Sequence, residues 1–293
     1  MKKRVAYLIV DGKQFGDEDH SLEIQFNITY SGNTLIPLDA VFVVDNLKKD
    51  DIYYITDNAS LFASRNKDIQ FWAGYKGQVR KLYDGKIRVA TPSGQPDTSL
   101  TITAMQSYSY IPESISVEYY NISFLDLLKD WERISLMPVL IPENIKTNPI
   151  LLQKVDFFYT GSVSGYLNEI INWITGFNTV KEQIIFSQDV SGIIVSSQDN
   201  VNLITPIIPI NSATGMVGIP KPNAAGIDIT VLMDTALRAG MTIELTSTML
   251  PKYNGLYNIQ SVTYHGSVRG NDFYTDLHCT QVYKGIDNGT TNL

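Results

Sequence analysis

The chain has 293 residues, 44 % of them hydrophobic and 18 % charged, with a net charge of −7. This is an ordinary soluble composition with few charges, and it excludes collagen-like, coiled-coil and largely disordered chains. A single cysteine, Cys279, excludes an intramolecular disulfide, and the acidic balance argues against a general affinity for nucleic acid. The length suggests about two domains. No apolar run approaches the ~18 residues that a membrane helix needs. Val5–Val10 follows a basic head but is short and lacks a cleavage site, so it reads as a first strand rather than a signal peptide.

Charge is unevenly spread. Residues 1–110 carry 13 Lys/Arg and 13 Asp/Glu, residues 111–200 carry 5 and 11, and residues 201–293 carry 5 and 6. The acidic third coincides with a change of pattern. From Ser21 to Tyr30, Leu22, Ile24, Phe26, Ile28 and Tyr30 alternate with polar residues, which predicts a half-buried antiparallel strand. Leu38–Val44 and Ile52–Thr56 read as strands around a polar turn at 46–51, and Asp68–Tyr75 as another. Asp84-Gly85 predicts a type I′ hairpin, because both central residues of that turn need positive φ. Leu100–Tyr108 completes five to seven strands, enough for a small barrel or sandwich.

Residues 111–200 predict an α+β insert of one or two subdomains. Ser123 is a candidate N-cap for a helix with an apolar stripe at Leu125, Leu128 and Trp131, and Pro138 ends it. After strands at 139–141 and 156–160, Ser162 or Ser164 can cap a second helix with Leu167, Ile170 and Trp173, closed by Gly176 as a C′ residue. The stripe thus recurs with an offset of 42 residues, from Leu125 to Leu167. Strands at 183–186 and 192–196 follow. Residues 201–225 are rich in Pro, Gly and Asn and read as a connector or extended arm. Strands return from 226 to 283, with turns at Asn254-Gly255 and Arg269-Gly270-Asn271, and the last residues read as a frayed tail.

The sequence contains no HExxH, GxSxG, P-loop, CxxC or GxGxxG-after-strand motif. His278 and Cys279 are adjacent, so a strand points them to opposite faces and they cannot pair as base and nucleophile. His265 could activate the thiol, against the simpler reading of Cys279 as core. Asp17, Glu18, Asp19 and His20 could hold a hard cation, against a solvated acidic loop. Asp126 and Asp130, at i and i+4 with Glu132 nearby, could form a catalytic carboxylate pair, against the wet face of an amphipathic helix. Trp131 and Trp173 read as core rather than as a ligand platform. The 17 tyrosines mildly favour an oligomer. No catalytic, cofactor-binding or metal-binding residue is assigned, and no cofactor is expected.

Two long strings carry a family resemblance. GMVGIPKPNAAGIDITVLMDTALRAGMTIELTS (215–247) and NGLYNIQSVTYHGSVRGNDFYTDLHC (254–279) resemble the C-terminal part of phage baseplate hub proteins of contractile-tailed phages. The matching features are Ile227–Leu232, Ala239-Gly240, Met241–Ser247, the Gly255–Ile259 stretch, His265-Gly266 and Phe273–Cys279. The strings ISFLDLLKDWERISL and VDFFYTGSVSGYLNEIINWITGFN are similar to that family's helical segments.

The resemblance implies an α+β, β-rich protein with two tail-tube-like antiparallel β-barrels, at 1–110 and 201–287, separated by the insert at 111–200 and followed by a disordered tail at 288–293. The last β region is short for a barrel, so strands from 184–210 are expected to contribute. The resemblance further implies a non-enzymatic homotrimer whose six barrels adapt the hexameric tail tube to the trimeric central spike. Tape measure and baseplate wedge proteins are implied as further partners. DNA would pass through the lumen without specific binding. The place implied is the virion tail baseplate, assembled in the host cytoplasm, with no membrane span and no room after Tyr283 for a lytic module. Two alternatives stand: another tube-like ring protein, such as a tail tube or distal tail protein, and a cell-wall hydrolase used in entry.

Overall fold

The computed structural model describes residues 3–20, 22–31, 40–57, 67–94, 98–106, 114–178, 183–197, 206–224 and 226–282. The first region contains β1 (Arg4–Val10), β2 (Lys13–Phe15), β3 (Glu23–Ser31), β4 (Ala40–Asp45), α1 (Lys49–Thr56), β5 (Asp68–Tyr75), β6 (Gln78–Ser93) and β7 (Ser99–Gln106). The middle contains β8 (Ser114–Ser123), α2 (Phe124–Ser135), β9 (Val139–Leu140), α3 (Glu143–Lys146), α4 (Pro149–Leu152), β10 (Lys154–Ser162), α5 (Val163–Gly176), β11 (Ile184–Asp189) and β12 (Gly192–Ser197). The last contains β13 (Ile208–Ile210), β14 (Met216–Asn223), β15 (Gly226–Leu232), β16 (Thr242–Leu245), β17 (Gly255–Ser267) and β18 (Phe273–Gln281). The expected tail at 288–293, the start of the strand expected from Leu38 and the end of the one expected to reach Tyr108 lie outside the described residues.

The first and last regions do not form separate sheets. Their strands run in one sheet in the order β14-β15-β18-β17-β3-β4-β7-β6-β5-β1-β2, with β13 and β16 attached beside β17. The two ends of the chain meet where β17 pairs antiparallel with β3, from Ser261↔Ser31 to Ser267↔Gln25. No closed barrel occurs among the described strands. The alternation read at 21–30 decides which face turns inward: Ile24, Phe26, Ile28 and Tyr30 are buried and Gln25 and Asn27 exposed. One hydrophobic cluster draws on both regions, from Ala6 to Ala104 and from Ile210 to Cys279. Phe26 touches Phe71 and Phe273, so aromatic contacts cross the seam as well. Arg4 at the start of β1 donates to the carbonyls of Ser267 (3.2 Å), Gly270 (2.6 Å) and Asn271 (3.1 Å), which ties the N-terminus to the β17–β18 turn.

Three local expectations are corrected. Residues 49–56 form helix α1 instead of a strand. Ile52 and Ile55, three apart, turn toward the core while Tyr53 stays exposed, and Asp50 and Asp51 sit in the first turn, where the helix dipole favours acids. Asp84-Gly85 is not a turn: β6 runs unbroken through it, and the chain reverses at Lys76-Gly77. Gly85 instead lies where β6 leaves β5 and joins β7. A Cβ there would come within 2.4 Å of the Met105 carbonyl and 2.8 Å of the Tyr83 ring, so close packing explains the glycine. Residues 216–223 of the expected connector form strand β14 at the sheet edge, where Pro220 and Pro222 are tolerated. Of the stretch 184–210 expected to contribute strands, β13 joins β16, whereas β11 and β12 pair with β9 in a separate sheet. Asn254 closes the loop before β17 through its side chain, Oδ1 accepting from the Ser247 N–H at 2.7 Å.

The insert has its own core, between Phe124 and Val195. Ser123 and Ser162 both cap: their Oγ atoms accept from the N–H groups of Asp126 (3.2 Å) and Gly165 (3.1 Å). The repeat exists with an offset of 39 residues, not 42. Each strand-to-helix unit buries the same positions, Phe124, Leu127, Leu128 and Trp131 in α2 and Val163, Tyr166, Leu167 and Ile170 in α5. A three-residue error is about one helical turn, which keeps residues on one face and so hides in the stripe. Under this alignment Trp173 does not match Trp131. Trp131 is fully buried and donates to the Val163 carbonyl at 2.9 Å, whereas Trp173 is 37 % exposed at the rim. Gly176 is the last helical residue, and Phe177 occupies the C-cap.

Strands β11 and β12 are buried on both faces. Ile184, Phe186, Ile193 and Val195 face the insert core, while Ser187 and Ile194 reach Gly240 of the large sheet's support. Asn258 donates to the Ser197 carbonyl (3.0 Å), and Arg238 reaches Asp189 (3.1 Å) and Ser191, so this joint is polar as well as buried. Among the described residues no helix is long and apolar enough to cross a membrane.

Candidate assembly surfaces

The outward face of the large sheet is polar because each strand alternates, so the residues opposite the core become a second surface. Across β15, β18, β17 and β3 this face is knit by side chains. His278 Nδ1 lies 2.6 Å from Asp228 Oδ1, and His265 Nε2 lies 2.9 Å from Asp276 Oδ2. Thr230 Oγ1 donates to Asp276 Oδ1 (2.6 Å), and the hydroxyls of Thr29 and Thr263 meet at 3.0 Å across the seam. An open groove of about 510 Å³ runs along this face where β14 overhangs, lined by Val217, Lys221, Asp228, Thr230, Asp276 and His278 among others.

Charge on this surface is segregated. Six neighbouring strands in the sheet, β15, β18, β17, β3, β4 and β7, contain no Lys or Arg at all, yet carry Asp228, Asp276, Glu23 and Asp45. The basic residues lie on flanking strands: Arg80, Lys81, Lys86 and Arg88 on β6 and Lys221 on β14. Lys86 is paired with Asp68 (2.6 Å) and Lys81 with Asp84 (2.5 Å).

The residues weighed for chemistry are dispersed into structural duties. Cys279 is fully buried, burial pushes its thiol well above the usual range, and His278 points to the opposite face. The native thiol is therefore expected to stay unreactive toward a chromogenic disulfide reagent at pH 8 and to titrate as one thiol per chain after denaturation. Rapid reaction of the folded protein would show that the strand is not packed as described.

The acidic loop is held by its own backbone. Asp17 accepts from the N–H groups of Asp19 (2.7 Å) and His20 (2.5 Å), bonds that hold its carboxyl below the usual range. Asp19 is lowered by Lys76, 2.5 Å away. Asp126 and Asp130 serve different partners. Asp126 accepts from the Ser123 hydroxyl (2.7 Å), which lowers it. Asp130 accepts from Arg133 (2.6 Å) and the Tyr166 hydroxyl (3.1 Å). Glu132 accepts from the Val139 N–H (3.1 Å). No cluster of three or more metal-ligating side chains occurs among the described residues.

A large sheet with a docked α+β insert is a fold that this chain shares with solved phage tail proteins. The fold is similar to a tail protein from Neisseria meningitidis (TM-score 0.60, 10 % identity, 95 % of this chain and 97 % of that one). It is also similar to a 43 kDa tail protein of prophage MuSo2 from Shewanella oneidensis (TM-score 0.59, 7 % identity, 96 % and 97 %). A third likeness is to the E. coli c3393 protein, a type VI secretion component described as structurally similar to bacteriophage T4 tail proteins gp27 and gp5 (TM-score 0.57, 10 % identity, 89 % and 74 %). A comparison with curated proteins returned no match. The family model described as baseplate hub gp41 matches residues 4–279, and the chain belongs to that family. The family match thus agrees with the hub resemblance carried by the strings at 215–279 and by the two helical segments, and the protein has a structural, hub-like role in a phage tail.

Proposed function

We propose that the protein is a non-enzymatic homotrimeric hub whose sheet lines a channel for the genome. The observation that carries this reading is the single sheet assembled from both ends of the chain. Each half, residues 1–110 and 201–287, supplies a comparable run of strands, so one chain spans two positions of a ring, and three chains complete six positions by closed cyclic symmetry. The outward polar face is the lining. Its six central strands hold acids and hydroxyls and no fixed cation, which suits a passage for DNA because Lys and Arg would hold phosphates. The insert at 111–200 projects from this ring toward other baseplate parts. One end meets the hexameric tube and the other the trimeric spike, with tape measure and wedge proteins nearby, in a virion tail assembled in the host cytoplasm. Native mass spectrometry of the purified assembly should give three copies, and images should show a threefold axis with a central hole. A monomer that stays monomeric with its tail partners would refute the reading.

The lining makes a second, independent prediction. Gln25→Lys with Asn27→Lys adds two cations per chain on the exposed face of β3. The assembled variant should retain linear duplex DNA with an affinity that falls steeply with salt, while the native ring should not. Equal behaviour of the two in a salt-gradient binding assay would place β3 away from the channel.

A further inference from the structure

The insert carries an exposed surface on the outer face of its β8–β10 sheet. Strands β8 and β10 pair only with each other among the described residues, so both outer edges of this two-stranded sheet remain open. Its inner face packs Phe157 on the insert core, backed by Val117, Tyr119, Val155 and Tyr159. Its outer face presents Tyr120 and Phe158, 67 % and 56 % exposed, with ring centroids 5.4 Å apart at 81°. Edge-to-face aromatic pairs normally close a core, and here one stands in solvent.

Carboxylates frame the pair. Glu118 lies directly opposite Phe158 in the register and accepts from the Tyr120 hydroxyl. Asp156 is exposed beside them, held by the Asn121 N–H at 2.9 Å; the hydrogen bond to Glu118 first, and the charge of Asp156 last, raise the Tyr120 hydroxyl above its usual range. From Ser116 to Tyr120 and from Asp156 to Thr160 neither strand has a Lys or Arg, and the insert as a whole carries 5 Lys/Arg against 11 Asp/Glu. Strand edges unpaired among the described residues, two solvent-facing rings and two exposed acids therefore coincide on one face, with Lys154 at the start of β10 as the nearest cation along the strand.

We propose that this face docks an extended, basic segment of a partner protein, which adds as a strand to the β8–β10 sheet and seats a Lys or Arg over Tyr120 and Phe158. Strand addition satisfies the open edge. The rings attract a cation through their faces, and Glu118 and Asp156 neutralise it. Charge complementarity favours a foreign basic segment over a second copy of this acidic insert, which would bring acids against acids.

The probe is a synthetic alternating Lys–Thr decapeptide, with a Glu–Thr decapeptide as control, titrated into the full-length protein by calorimetry at low salt. The Lys–Thr peptide is expected to bind and the Glu–Thr peptide not. Tyr120→Ala with Phe158→Ala, and separately Glu118→Gln with Asp156→Asn, should each weaken binding at least tenfold. Both pairs are exposed, and the second preserves shape, so unchanged melting curves and an unchanged assembly mass separate this effect from misfolding and from the hub reading. Absence of Lys–Thr binding, equal binding of both peptides, or binding untouched by either double variant would overturn the proposal. So would loss of self-association in Tyr120→Ala with Phe158→Ala, which would make the face a contact between copies.

Discussion

Alanine at Arg238 is expected to lower stability by about 3–5 kcal/mol, because it strands a buried charge. Asp189 is 3 % exposed and belongs to β11, whereas Arg238 belongs to the segment that supports the large sheet. Their 3.1 Å contact, with the added bond from Arg238 to Ser191, is an ionic link between insert and sheet. Removing the guanidinium leaves the Asp189 carboxylate with the Ser191 N–H at 2.5 Å and no cation in contact. The cost is one of desolvation, so Asp189→Asn in the same chain should recover part of it, and the coupling measured by the double-mutant cycle should exceed about 0.5 kcal/mol. Urea unfolding would show the midpoint fall, and amide exchange would rise first in β11 and β12, whose strands are buried on both faces only while the joint is closed. A shift under about 1 kcal/mol would mean that water already reaches Asp189.

Gly226→Ala is expected to cost on the order of 3 kcal/mol and to loosen one edge of the sheet. Gly226 opens β15 with φ at +155°, a backbone region that side chains rarely enter. A Cβ at this position would stand 2.0 Å from the Cys279 carbonyl oxygen and 3.0 Å from its carbon. Those are backbone atoms of β18, so no side chain can swing aside and the strand itself must move. The pairing from Ile227↔Cys279 to Leu232↔Tyr274 would open at its start, together with the Asp228–His278 contact on the polar face. Accordingly, the variant should expose the Cys279 thiol to reagent at a rate set by local opening, while the insert core is unaffected. Native-like stability with a protected thiol would show that β15 can adjust in register.

What the sequence determined is what one segment decides by itself. The alternation at 21–30 assigns the inner and outer faces of β3, because side chains alternate across a strand whatever pairs with it. Ser123, and Ser162 or Ser164, mark two helix starts, because a cap bonds to N–H groups within three residues, and the structure selects Ser162. The absence of cations from six strands is likewise a property of composition. What only the tertiary structure decided depends on groups far apart in the chain. The β3–β17 seam pairs residues separated by more than two hundred positions, and no local pattern encodes which edge a strand will choose. Asp84-Gly85 has the chemistry of a turn, but the close approach of Met105 and Tyr83 uses its missing Cβ to let β6 pass between two neighbours. The true offset of the helical repeat was hidden in the apolar stripe because residues one turn apart share a face; the burial pattern, together with the caps that Ser123 and Ser162 make, selected 39. Asp189 and Arg238 carry no motif, since a buried ion pair is defined by the space that excludes water, and that space exists only after the insert has docked.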